Sequence, residues 1–147
     1  MQIFTSALRE NHGMNAYQTY RQTQAQTAAP GELIVMLYRG AARFAASAVE
    51  GIEAGNVQAA HNYLVKAQAC VTELLESLDV ERGGEVGRNL VRLYEYMNFR
   101  LVEANLRKDA EPAREVERLL RDLLPAWEQA AREASAAPAR PLLAAAI

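Results

Sequence analysis

From Val57 to Leu78 the residues Val57, Ala60, Leu64, Ala67, Val71, Leu74 and Leu78 recur at alternating spacings of three and four. That alternation keeps one stripe of an α-helix apolar and does not fit the two-residue period of a strand. It is also the seam of a helix that packs along its whole length on its neighbours. Three further stretches carry helical spacing: Ile34, Leu37, Ala41, Phe44, Ala48 and Ile52; Val86, Leu90, Leu93, Met97, Leu101 and Ala104; and Val116, Leu120, Leu123, Trp127, Ala130 and Ala134. No strand-like alternation of useful length lies between them.

The punctuation agrees with four helices. Pro30 suits a first turn, with Thr27 or Ala29 as candidate caps and Glu32 at the positive end of the dipole. Gly51 weakens the end of this helix and Gly55 stops it. Asn56 caps the second helix. Asp79 to Gly84 reads as a turn, Asn105 to Glu111 closes the third helix, and Pro112 opens the fourth. Pro125 falls inside the fourth, where it kinks the helix or removes a hydrogen bond at a cost of about 3 kcal/mol. Helices of about 22 to 25 residues are roughly 35 Å long. Short linkers make neighbours antiparallel. The expected fold is therefore all-α, an antiparallel up-down four-helix bundle. Residues 1–16 read as a mobile N-terminal arm, and 17–28, rich in Gln and Thr, as a short extra helix or strap. The bundle domain spans 17–134, and 135–147, SAAPARPLLAAAI from Ser135, reads as a disordered tail.

Acids and bases are interspersed and the net charge is -2, so no electrostatic footprint for nucleic acid is present. The single cysteine, Cys70, allows no disulfide within the chain. No run approaches the roughly 18 apolar residues of a membrane span, and MQIFTSALRENHG lacks the apolar core of a signal peptide. A cytoplasmic protein without membrane insertion is the expectation.

Chemistry-bearing constellations are scarce. A di-iron bundle needs Glu-x-x-His pairs. The two histidines, His12 and His61, are preceded at that spacing by Arg9 and Gln58. Cys70 sits beside the seam residue Val71 and reads as a small apolar filler. Gly83-Gly84 follows no strand and is no phosphate loop. Glu117 with Arg121 and Glu128 with Arg132 are i,i+4 pairs on a solvated face. No catalytic residue, metal site or cofactor is expected, and the chain is read as a non-enzyme.

Leu33 to Tyr38 are six large apolar residues in a row, more than one stripe can bury. The third helix likewise carries Val91, Tyr96, Phe99 and Val102 beyond its seam. Exposing such surface costs on the order of 25 cal/mol per Å². A wide core, self-association, or a partner peptide laid in a groove would each cover it, and composition does not choose among them.

An ordered series of motifs adds a further reading. These are NAYQTY at 15–20, TAAPGELIVMLYRGAARF at 27–44, KAQACVTELLESLDVERGGEVGRNLVRLYEYMNFRLVEANLRKDAE at 66–111 and EVERLLRDLLPAWEQA at 115–130. The most specific part is a Leu-Asp turn and Gly-Gly followed by N-L-x-x-L-Y-x-Y-M and R-L-x-x-A-N. Over residues 14 to about 134 the chain resembles the flagellin-specific export chaperones, the FliS family. The resemblance implies a cytoplasmic helical bundle that binds the disordered C-terminal segment of flagellin. It would block premature polymerisation and present the complex to the flagellar type III export gate, without nucleotide or metal. Departures from the family pattern are Ala29 for a common Ser, Arg39 for a common Asp, Pro125, and the Ala/Pro tail.

The expected client-binding groove comprises Leu33, Met36, Leu37, Gly40 and Phe44 with Val91, Tyr94, Tyr96 and Phe99. The resemblance makes Met14, Tyr17, Gln18 and Tyr20 a groove-covering part of the N-terminal arm. Asn89 and Asn105 could bond client backbone or simply cap locally, and Trp127 reads as a core anchor. The expected oligomeric state is monomer or weak dimer. The rival reading is a structural bundle that self-associates through the same apolar faces.

Overall fold

The computed structural model describes residues 31–136. They form four helices: α1 (Glu32–Glu53), α2 (Val57–Ser77), α3 (Val80–Arg107) and α4 (Ala110–Ala136). No strand occurs among the described residues. The helices pack in a ring, α1 on α2 and α4, α2 on α3, and α3 on α4. Neighbours are antiparallel. Arg39 near the start of α1 reaches Glu128 near the end of α4, while Glu53 at the end of α1 reaches Arg114 near the start of α4. This is the expected up-down four-helix bundle. The expected arm, strap and caps before Gly31, and the tail beyond Ala136, lie outside the described residues.

Each junction has a local cause. The Asn56 side chain accepts the Ala59 N–H at 3.1 Å and starts α2, as anticipated. Gly55, with φ 72°, ends α1 at the expected place. The Asp79–Gly84 stretch is not a plain turn. Asp79 accepts the Arg82 N–H at 3.1 Å and begins α3, and the backbone then breaks at Gly84, with φ 58° and ψ -133°. A side chain at Gly84 would be strained in that conformation. Helix α4 begins at Ala110, not Pro112, because Asp109 accepts the Glu111 N–H at 3.0 Å. Pro112 then falls in the first turn, where its missing N–H costs nothing. Pro125 lies inside continuous helix on an exposed strip with Arg121, Asp122 and Ala126. The carbonyl it deprives of a partner therefore sits on the wet side of α4.

The core is a single cluster of apolar side chains, with Leu37, Tyr38, Leu64, Leu74, Tyr94, Met97, Leu101 and Leu120 among the deepest. Two seam residues overshoot it. Val57 and Val86 stand near the starts of α2 and α3, at opposite ends of the bundle, and are exposed. In α4 Ala131 is buried where Ala130 was expected, since a straight helix of 3.6 residues per turn drifts off a 3.5-residue seam. At Gly51 α1 packs tightly against α2. A Cβ built there would lie 3.0 Å from the Ala60 backbone nitrogen.

Candidate functional site

The α3 helix can be oriented by its hydrogen bonds. Asn98 and Asn105 face α2, bonding Thr72 at 3.3 Å and His61 at 3.0 Å. Tyr96 and Arg100 face α4, both donating to Glu115 Oε1, at 2.6 and 2.7 Å. Tyr94, Met97, Leu101 and Ala104 enter the core. The outward strip is therefore Phe99, Val102 and Leu106, spaced three and four. They are 64%, 43% and 82% exposed, and they run about 10 Å along the helix. Val65 on α2 is also exposed. It lies four residues after His61 and seven before Thr72, on the strip of α2 that bonds α3.

The polar groups beside this strip are mutually satisfied for the most part. Hydrogen bonds from Tyr96 and then Arg100 hold the Glu115 carboxyl below its ordinary range. The Glu115 contact in turn raises the Tyr96 hydroxyl and the Arg100 guanidinium. Arg100 also donates to Glu103 at 2.8 Å. Asn105 joins two helices, taking Lys108 Nζ on its Oδ1 at 2.6 Å and leaving its amide for His61. Asn98 Oδ1 is buried without a partner.

On the other side of α2, Phe44 of α1 and Tyr63 of α2 stack with centroids 6.4 Å apart. Leu33, Met36 and Gly40 lie on α1 toward the same side or beside it, all half-buried. Between the two apolar strips runs the outer face of α2. Lys66 is the only charged side chain from Val57 to Thr72, whereas α4 alternates acids and bases along its length. A further cleft of about 630 Å³ lies between the start of α1 and the end of α4, lined by Val35, Met36, Arg39, Glu128, Ala131 and Arg132 among others.

The residues expected at a groove divide accordingly. Phe99 and Tyr96 are exposed and Val91 is half-buried. Leu33, Met36, Gly40 and Phe44 are half-buried. Leu37 and Tyr94 are 2% and 1% exposed and belong to the core, not to the surface expected of a groove. Tyr38 and Tyr94 bond to each other at 2.7 Å, which satisfies two buried hydroxyls at once. Met14, Tyr17, Gln18 and Tyr20 lie outside the described residues. Val65, Leu106 and Tyr63 were not singled out. Leu106 breaks the helical seam yet follows Phe99 by seven, a signal that was present. Asn89 only accepts a long contact from Arg92, at 3.5 Å. Trp127 packs against the core with its ring 5.8 Å from Tyr38, as an anchor should. Glu128 pairs with Arg39 across helices, not with Arg132, so the Arg at position 39 finds an acid on α4.

The ordered motifs and the bundle agree with a sequence model of the family described as flagellar protein FliS, which matches residues 13–134. The chain belongs to the FliS family. It is 41% identical over 125 residues to the flagellar secretion chaperone FliS of Salmonella typhimurium, covering 84% of this chain and 93% of that one. It is 37% identical over 116 residues to the flagellar secretion chaperone FliS of Bacillus subtilis, covering 79% and 86%. The FliS fold thus supplies a scaffold whose apolar strips on α1 and α3 are separated by α2. No described helix is long and apolar enough to cross a membrane.

Proposed function

We propose that this FliS chain is a cytoplasmic export chaperone for flagellin. It binds the disordered C-terminal segment of flagellin, prevents premature polymerisation and delivers it to the flagellar type III export gate. The observation that carries the reading is the exposed apolar strip Phe99, Val102 and Leu106 on α3. An amphipathic segment would lay its own apolar side on this strip and Val65. Ordering a disordered client costs several kcal/mol, so a large area must be covered for tight binding. Because α1 and α3 are not neighbours in the ring, a segment touching both strips crosses a helix between them, and α2 offers the less charged route, with Lys66 alone charged from Val57 to Thr72. Binding is stoichiometric and needs no reaction, since the client's apolar side is hidden for as long as it stays docked.

The test is calorimetry of the full chain with a peptide of the same organism's flagellin C-terminus. The expected result is one-to-one binding with a negative heat-capacity change, lost in Phe99→Glu. Wild-type affinity in Phe99→Glu, or no binding by the wild type, overturns it. A tight oligomer without client in light scattering would instead favour self-association through the same strip.

A further inference from the structure

Lys66 and Arg43 flank one pair of rings. Lys66 Nζ lies 5.7 Å from the Phe44 centroid and 5.6 Å from that of Tyr63, and Arg43 Cζ lies 6.0 Å from Phe44. Ring faces attract cations, which explains why both can gather here. Neither makes an ion pair among the described residues, although Arg39, Arg100, Arg114, Arg118 and Arg121 all do. The helix itself offers them nothing. Three and four residues from Arg43 stand Arg39, Gly40, Ala46 and Ser47, and from Lys66 stand Asn62, Tyr63, Ala69 and Cys70. Two like charges are thus held around one aromatic pair at the edge of the α2 face.

Resting on the client reading above, we infer that Lys66 and Arg43, with Phe44 and Tyr63, form a subsite for an acidic residue of the bound segment. That Asp or Glu is flanked by an apolar residue that covers the two rings. The cover removes water from around the cations, and a carboxylate placed there is attracted more strongly than in bulk solvent. Arg43 can offer its planar fork and Lys66 a point charge. Aromatic rings with cations also suit single-stranded nucleic acid, but that needs a basic groove to follow the backbone. Here α2 carries one cation from Val57 to Thr72 and the chain is net negative. An acidic peptide is the occupant the charges favour. The segment is therefore laid across α2, with its acid on the α1/α2 side and its apolar stripe on Val65, Phe99, Val102 and Leu106.

The experiment compares wild type, Lys66→Glu, Lys66→Gln, Arg43→Glu and Phe99→Glu against the flagellin C-terminal peptide, at low and high salt, with each variant's fold checked by circular dichroism. Lys66→Glu should weaken binding by about tenfold or more and Lys66→Gln by less. The salt dependence of the wild type should shrink in both. Replacing the peptide's acidic residue by Lys should restore binding to Lys66→Glu. If Lys66→Glu and Arg43→Glu bind as wild type while Phe99→Glu does not, the acidic subsite is wrong and the client reading stands. If Phe99→Glu also binds as wild type, both fall. Competition of the peptide by a single-stranded oligonucleotide, relieved by Lys66→Glu, would overturn the choice of an acidic occupant.

Discussion

Tyr38 of α1 and Tyr94 of α3 join their hydroxyls at 2.7 Å across the diagonal of the bundle, with their rings edge to face at 68°. Both are buried, and the Trp127 indole is a second hydrogen-bond partner of the Tyr38 hydroxyl. Tyr38→Phe alone should cost about 1–3 kcal/mol, because the buried Tyr94 hydroxyl is left without its partner, and Tyr94→Phe alone should cost less, because Tyr38 keeps Trp127. The double variant should cost clearly less than the two singles together. Urea unfolding of the four proteins closes the cycle, and additive costs would show that the pair is not coupled.

The same pair sets an alkaline limit. Burial, first of all, pushes both hydroxyls above the ordinary tyrosine value of 10. A group whose folded pKa is raised contributes stability that is whole below its unfolded pKa and is lost as pH rises toward the folded one. Stability should therefore be level up to about pH 10 and then fall by up to about 1.4 kcal/mol per pH unit for each tyrosine. Melting curves between pH 9 and 11 should show this fall, and it should be blunted in the Tyr38→Phe, Tyr94→Phe double variant.

Glu115 acts at the other end of the scale. Its folded pKa is depressed by Tyr96 and Arg100, so its contribution is present above the ordinary carboxylate value of 4.5 and lost as pH falls through the folded value. The network is open to solvent on its Tyr96 side, which screens it and keeps the effect small. Glu115→Gln should lower the melting temperature slightly at pH 7 and leave it nearly unchanged at pH 3. An equal loss at both pH values would assign Glu115 a packing role instead.

Helical spacing made the four-helix architecture legible, and residues such as Asn56 and Gly55 marked their junctions without help from tertiary structure. The candidate site was only half legible. Tyr94 and Tyr96 stand about 200° apart on one helix, and Tyr94, four residues after Leu90 and three before Met97, falls with the seam. What the period does not show is the partner of its buried hydroxyl, which is Tyr38, 56 residues away in the chain. Nor does a face pattern tell which helices are neighbours. The α1 and α3 strips read as one groove, yet the ring order puts α2 between them. The dearth of charge on α2 was visible from Val57 to Thr72. It acquires meaning only once that helix is seen to lie between two apolar strips.

Two glycines on α1 should respond in opposite directions. A Cβ at Gly51 would meet the Ala60 backbone at 3.0 and 3.2 Å, so Gly51→Ala must push α1 off α2, and overpacking of this kind costs about 1–3 kcal/mol. At Gly40 the nearest atom is Cys70 Sγ, at an ordinary 3.6 Å. Gly40→Ala should therefore keep the packing and gain up to about 1 kcal/mol of helix propensity. Thermal melts of the two variants decide it, and a loss at both positions would mean that the α1/α2 seam has no slack anywhere.

Exposure and function separate along α3. Leu101 is buried and Leu106 is 82% exposed, five residues later on the same helix. Leu101→Ala should cost about 2–5 kcal/mol through the cavity it leaves. Leu106→Glu should change stability by less than about 0.5 kcal/mol, since it touches no core atom. If the outward strip holds a client, Leu106→Glu should nevertheless weaken peptide binding as Phe99→Glu does, while a bundle thinned by Leu101→Ala binds normally wherever it remains folded. Binding lost in Leu101→Ala at a temperature well below its melt, and kept in Leu106→Glu, would place the client on another face of the ring.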